Sequence, residues 1–258
     1  MTNPTDAADF AAYSDQFLRN VAVDNVIFGY HEKELKVLLQ QPYTLDKWTV
    51  TGGYIKKTES IEEAASRIAF DRTGLKDLYL KQFGSFGNPQ RVIDKGFTPQ
   101  HIKEVTGFEI PANSWIFDYF VSVCFYTLTE FSKVESTKGE LEADSKWWPV
   151  SELPPMMFDH AHIINEALSA LRLHIGHFPI GYELLPEKFT LPEIHSLYET
   201  ILGKSLDDRN FTKKLLLTKI VTKLDETRKI GRHRSPFLYK FDKEKYEEGL
   251  KSGVALVF

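Results

Sequence analysis

The chain has 258 residues, 42% hydrophobic and 26% charged, enough for one large domain or two small ones with packed cores. A net charge of −4 excludes a uniformly basic nucleic-acid coat but not a local basic patch. The single Cys124 excludes an internal disulfide and fits a reducing compartment, most simply the cytoplasm, and no stretch approaches the roughly 18 apolar residues of a membrane span.

Residues 1–17 have no basic cluster followed by an apolar core, so they read as a short acidic tail and not as a signal peptide. The next part, 18–177, alternates strand-like segments with one strong helix. "NVAVDNVIFGY" (20–30) and "ELKVLLQQ" (34–41) are β-rich and joined by "HEK", the pattern of a hairpin. "KWTVTGGYI" (47–55) reads as a strand ending at a glycine pair. "SIEEAASRIAFDRTG" (60–74) carries apolar residues at helical spacing, and Gly74 is a natural stop. Strands are expected again at 78–87 and 114–128, where Cys124 is buried and inert. Between them, 88–113 is a long polar excursion with a short helix at "TPQHIKEVTG", of the kind that lies over binding sites. "KWWPVSELP" (146–154) and a helix over 159–175, with Asp159 as its N-cap, complete an α/β (α+β) sandwich.

Residues 178–258 differ in character. Thr190, Pro192 and Glu193 make a capped helix start for 190–203. A second helix at 205–218 follows one turn later, and 220–226 pairs with 236–241 as a β-hairpin. Two helices and a two-stranded wing make a winged helix-turn-helix. From Lys204 to Lys240 there are eleven Lys and Arg against four Asp and Glu, a surplus of seven that leaves −11 for the rest. An acidic part joined to a basic one is a nucleic-acid footprint, and double-stranded DNA is the expected partner. On the second helix Arg209, Thr212 and Lys213 share one face, with Asn210 and Lys214 beside them and Phe211, Leu215 and Leu216 on the buried side. The loop "TRKIGRHRS" presents Arg228, Lys229, Arg232, His233 and Arg234 for phosphate or minor-groove contacts.

The stretch "GYIKKTESIEEAASRIAFDRTGL" (53–75) resembles the Nudix box. Gly53, Glu59, Arg67, Gly74 and Leu75 match at the right spacing, while Ile68, Asp71 and Arg72 stand where the box has glutamates. Together with the tail from "LLPEKF" to "SPFLYKF", the chain over about 18–242 resembles the Nudix-related transcriptional regulators of bacteria. The resemblance implies a Nudix sandwich that binds a pentose or an ADP-ribose-like effector, followed by a winged helix that binds operator DNA.

Positions 68, 71 and 72 share one helical face, where carboxylates gather divalent cations in a hydrolase. Here the face offers one carboxylate, one apolar side chain and one guanidinium. No catalytic residue, metal or cofactor is therefore expected. His160, His162, His174 and His177 lack a completing set of zinc ligands. "GSFG" and "TGG" open no helix with the required lysine and are not phosphate loops. Trp48, Tyr54, Phe86, Asp118 and Tyr119, the last two on the long strand, are candidates for the effector pocket, because aromatic faces stack on sugars or bases and a carboxylate fixes hydroxyls. Two functions compete: an effector-responsive regulator acting as a homodimer, or a Nudix hydrolase of nucleoside diphosphate derivatives in which Asp71, Glu62 or Glu63 replaces the missing ligands.

Overall fold

Strand β1 (Phe17–His31) runs through the middle of the principal sheet, and its residues from Val23 to Gly29 are all buried. A strand buried on both faces needs an apolar run, which "VAVDNVIF" supplies except at Asp24 and Asn25. The structure is a computed structural model that describes residues 7–42, 46–76, 78–92, 98–107, 109–134, 142–177, 181–229 and 235–252. Contacts group the chain into two compact units. One comprises Met1–Phe28, Lys36–Thr127 and Lys133–Ala167, and the other Gly29–Leu35, Leu128–Ser132 and Leu168–Phe258.

The first unit carries a six-stranded sheet. With β2 (Glu34–Pro42), β3 (Thr51–Lys56), β4 (Lys81–Phe86), β5 (Val121–Glu130) and β6 (Glu142–Pro149), its order is β4-β5-β1-β2-β6, and β3 pairs with β1. The expected hairpin is present. Its tip is the pair Glu32 and Lys33, both at positive φ (51° and 64°), the conformation that a tight two-residue turn between twisted strands requires.

The glycine pair does not end a strand. It lies inside β3, with Gly53 opposite Val23 and Gly52 opposite Asp24. Helix α2 (Ile61–Thr73) presses against this point. A Cβ on Gly53 would lie 3.0 Å from the Ile68 side chain, so glycine is what lets helix and strand approach. Ala64, Ala65 and Ile68 pack with Val23, Ile55 and Phe125 as one apolar cluster. Helix α2 begins at Ser60, which accepts from the Glu63 amide while Glu63 accepts from the Ser60 amide, and it ends at Gly74 at φ 69°.

Two expectations need correction here. Residues 114–128 are not one strand: Trp115–Phe117 forms a 3-10 turn, and β5 begins only at Val121. The apolar run reflects the burial of Trp115 against Tyr54 and Phe120, not strand pairing. Residues 7–14, expected as tail, form helix α1 (Ala7–Ser14), whose Tyr13 packs edge-on against Phe17. The helix expected near 98–107 is α3 (Pro99–Thr106), capped by Thr98 and Gly107. Helix α4 (His160–His174) buries Ile163, Ile164, Ala167 and Leu171. Cys124 is fully buried, and burial pushes its thiol up, out of the reactive range.

The second unit contains β7 (Phe189–Thr190), α5 (Leu191–Leu202), α6 (Asp208–Leu217), β8 (Val221–Thr227), β9 (Phe237–Phe241) and α7 (Lys243–Ser252). Its sheet has three strands in the order β7-β9-β8, so the expected two-stranded wing gains a short third strand just before α5. The Thr190 amide and hydroxyl both donate to Glu193 Oε2, closing the expected cap of α5. Tyr198 meets Phe211 edge-on at 5.2 Å, joining α5 to α6.

The cluster around Ile68 yields a stability prediction. Ile68→Glu places a carboxyl group among Val23, Ile55 and Ala64, where even its neutral form costs about 1–3 kcal/mol, so urea denaturation should show a loss of at least that size. Asp71→Ala, three residues along on an exposed position, should change stability by less than about 0.5 kcal/mol.

Candidate functional site

The matching residues of the box form a clamp. Glu59 accepts from the Lys56 amide at 2.8 Å, from Arg67 Nη2 at 2.6 Å and from Arg67 Nε at 2.9 Å. Arg67 Nη2 also donates to the Tyr54 carbonyl at 2.9 Å. The paired guanidinium holds the Glu59 carboxyl below the usual carboxylate range, against the opposing effect of burial. Glu59 thus ties the end of β3, the following turn and the middle of the helix together.

The mismatched residues do not make a metal site. Ile68 is buried in the core, Asp71 is exposed and 3.7 Å from Arg67, and Arg72 is half-buried. Glu63 is used in the cap, and neither it nor Glu62 borders the neighbouring cavity. Among the described residues no group of three His, Cys, Asp or Glu is placed to hold a metal ion. A divalent cation does not fit this face, since it would meet an isoleucine and a guanidinium in place of carboxylates.

Beside the clamp lies a cavity of about 550 Å³, within the range of small-molecule sites. Arg67, Ile68, Asp71 and Arg72 border it along α2, and Tyr13, Phe17, Tyr54 and Phe120 supply aromatic surface. Tyr54 packs against Phe17, Trp115 and Phe120 at centroid distances of 5.8, 5.0 and 5.6 Å, and burial pushes its phenol up to about 12, so it stays neutral.

Of the five residues expected here, Tyr54 and Asp118 border the cavity. Trp48, Phe86 and Tyr119 are placed elsewhere. Trp48 is core, edge-on to Trp148 at 5.4 Å with the Lys146 ammonium over both rings. Phe86 meets His162 edge-on, and the Tyr119 hydroxyl donates to the Gly87 carbonyl. Asp118 and Tyr119 precede β5 instead of lying on it.

The sequence reading missed the buried end of the cavity. Arg91, its side chain only 4% exposed, donates Nε to Asp159 Oδ1 at 2.9 Å, its Nη2 lies 2.8 Å from the same oxygen as an ion pair, and Nη1 donates to the Phe86 carbonyl and Ser122 Oγ. The Asp159 side chain therefore serves Arg91, although its carbonyl accepts the Ile163 amide as a helix start requires. His160 Nδ1 accepts from the Val50 amide at 3.2 Å, which leaves its proton on Nε2, 3.8 Å from Asp24 Oδ2. Burial holds the His160 imidazole below its ordinary value, hence neutral. The one available signal was the polar pair Asp24–Asn25 inside an apolar strand. Asn25 answers locally, donating to the Ala65 carbonyl at 2.9 Å. Asp24 does not.

In the second unit, Asp207 caps α6 by accepting the Asn210 amide at 2.8 Å. Phe211 and Leu215 are buried; Arg209, Asn210 and Lys213 are exposed, and Thr212 and Lys214 half-buried. Leu216, expected on the buried side, is 40% exposed, because only every third or fourth position of α6 meets α5. Asp208 lies 3.4 Å from His195, and no ion pair joins Arg209 or Lys213 to another described residue. Arg228 is committed within the unit, to Glu193 at 2.8 Å and the Lys188 carbonyl at 2.6 Å, whereas Lys229 is exposed. Arg232, His233 and Arg234 lie outside the described residues.

A Nudix-type sandwich whose box lacks its metal face, on one chain with a winged helix that exposes cations on its second helix, defines a class: DNA-binding proteins built on a Nudix frame. Comparison with known proteins agrees. Residues 18–167 match the NUDIX domain and residues 181–241 match the NrtR DNA-binding winged helix domain. The chain belongs to the Nudix family and joins that domain to an NrtR DNA-binding winged helix, the composition of a transcriptional regulator. A curated relative, the ADPR responsive transcriptional repressor NtrR of Acinetobacter baylyi, is 24% identical over 234 residues, 88% of this chain and 84% of the relative. The crystal structure of Shewanella oneidensis NrtR complexed with a 27mer DNA is 26% identical, with a TM-score of 0.69 over 89% of this chain and 96% of that one. A second crystal structure of Shewanella oneidensis NrtR gives 26% and 0.68 over 88% and 96%. A MutT/nudix family protein from Enterococcus faecalis, 20% identical with a TM-score of 0.61 over 91% and 93%, shares the fold.

The exposed face of α6 and the wing should fail differently in DNA binding. Arg209→Ala or Asn210→Ala should cost about 1–3 kcal/mol on operator and little on random DNA. Arg232→Ala or Arg234→Ala should weaken both and lower the slope of log affinity against log salt by about one unit each. Fluorescence-anisotropy titrations across salt concentrations check both.

Proposed function

We propose that the protein is a transcriptional repressor whose Nudix half (18–177) binds an ADP-ribose-like effector without catalysing its hydrolysis, and whose winged-helix half (178–258) binds operator DNA in the cytoplasm. The observation that carries this reading is the box itself. Its frame, Gly53, Glu59, Arg67 and Gly74, keeps helix and strand together beside a cavity, while Ile68 and Arg72 remove the surface on which a metal would activate water. The Acinetobacter relative is described as ADPR responsive, and a cavity of about 550 Å³ with aromatic walls suits a nucleotide-sized ligand better than a lone pentose. Among the described residues no helix is long and apolar enough to cross a membrane.

The test is a gel shift on the promoters of its own and neighbouring genes, repeated with ADP-ribose and with arabinose and other pentoses. ADP-ribose should weaken operator binding by roughly fivefold or more, the ordinary size of such coupling, and pentoses should not. Calorimetry with ADP-ribose should give the same affinity with magnesium and with a chelator. Magnesium-dependent turnover of ADP-ribose that disappears in Asp71→Ala would establish the hydrolase instead.

Winged-helix regulators usually read two half-sites, so that protein symmetry matches operator symmetry. The protein is accordingly proposed to act as a homodimer assembled through its Nudix half. Light scattering at micromolar concentration should give twice the chain mass of 29.7 kDa, with and without operator.

A further inference from the structure

Asp24 is 5% exposed, lies in the middle of β1 and borders the cavity. Its Oδ2 has no hydrogen-bond partner. Two groups come near without bonding: Arg91 Nη2 at 3.7 Å and His160 Nε2 at 3.8 Å, both beyond hydrogen-bond range. The donors of Arg91 are directed to Asp159, Ser122 and the carbonyls of Phe86 and Phe120. On the other side, a Cβ on Gly52 would stand 2.4 Å from Asp24 Oδ1, so only glycine at 52 leaves the carboxylate where it is. A buried carboxylate oxygen without a donor is costly to fold, and native structures rarely leave one.

We propose that Asp24 is the acceptor for a ribose hydroxyl of the effector, so that the buried end of the cavity selects a ligand carrying that hydroxyl over the same ligand without it. The inference rests on the functional reading above, that a sugar nucleotide occupies this cavity. Charge restricts the partner. A guanidinium 3.7 Å from the same oxygen disfavours a metal or ammonium ion, and the carboxylates of Asp24 and Asp159 disfavour a phosphate. A neutral donor remains, O–H or N–H, of which the sugar of the proposed effector supplies the O–H, and it would gain a charge-assisted hydrogen bond away from water.

Isothermal titration calorimetry on the full chain tests this with ADP-ribose, ADP and 2′-deoxyADP. ADP-ribose against ADP reads the terminal ribose; ADP against 2′-deoxyADP reads the adenosine ribose. In the wild type one of these pairs should differ by tenfold or more, about 1.4 kcal/mol. In Asp24→Asn, which keeps the shape and removes the charge, that gap should shrink below threefold, with the hydroxyl-bearing probe losing affinity and the other unchanged. Gly52→Ala displaces the carboxylate without altering its charge, and should close the same gap should Asp24→Asn fail to fold in a thermal melt. Equal loss on both members of the pair, or an unchanged gap in either folded variant, overturns the assignment. ADP-ribose binding with no gap in the wild type also overturns it but leaves the effector reading intact. No binding of any probe to the wild type overturns both.

Discussion

The two-pronged pair between Glu59 and Arg67 sets the geometry on which the first unit depends. Charge-assisted hydrogen bonds of this kind are short and directional, and here both oxygens of Glu59 are used. Because Glu59 also accepts the Lys56 amide and Arg67 reaches the Tyr54 carbonyl, strand β3 and helix α2 are fixed at a single spacing. That spacing is tight enough to require glycine at 53, and it seats Ile68 in the apolar cluster. One wall of the cavity follows directly, since Arg67, Asp71 and Arg72 are carried on the same helix.

The frame of the box holds together without carboxylates at 68 and 72. The clamp performs a structural task that needs no metal, so the glutamate and arginine retain their use while the ligand positions are free to change. Ile68 adds apolar burial to the helix–sheet contact, and Arg72 brings a cation to the border of the cavity where a metal would have stood. Local formal charge on positions 68, 71 and 72 is zero, which suits an anionic ligand better than three carboxylates would. The buried end of the cavity uses another economy. Arg91 spends its donors on Asp159, Ser122 and two carbonyls, so a charge that would be prohibitive to bury alone is satisfied there.

The second unit shows the same division of labour. Glu193 closes the cap of α5 and also holds Arg228, which in turn reaches the Lys188 carbonyl. The stem of the wing is thus tied to the start of α5, and that arginine is occupied before any DNA arrives. Arg209, Asn210 and Lys213 on α6 are exposed by contrast, because Phe211 and Leu215 are the positions of α6 that turn inward, Phe211 against Tyr198 of α5. A segment of ten residues that buries only two side chains, one turn apart, leaves most of its surface for recognition.

What the sequence determined by itself is whatever depends on neighbours in the chain. The caps at Thr190 and Gly74, the hairpin of β1 and β2, the limits of α2 and α5, the absence of the box's glutamates at 68 and 72, and the basic bias of 204–240 are all local patterns of spacing and composition. Trp48 and the run from Trp115 to Tyr119 misled because an aromatic residue reports burial without saying which surface it is buried against. Only the tertiary structure decided the cavity's polar end. Asp24, Arg91 and His160 come from a strand, a short turn in a long excursion and the start of a distant helix, and Arg91 meets Asp159 across 68 residues of chain. No periodicity links such positions: a buried charge is legible only when the partner that neutralises it is in place, and folding, not local spacing, supplies that partner.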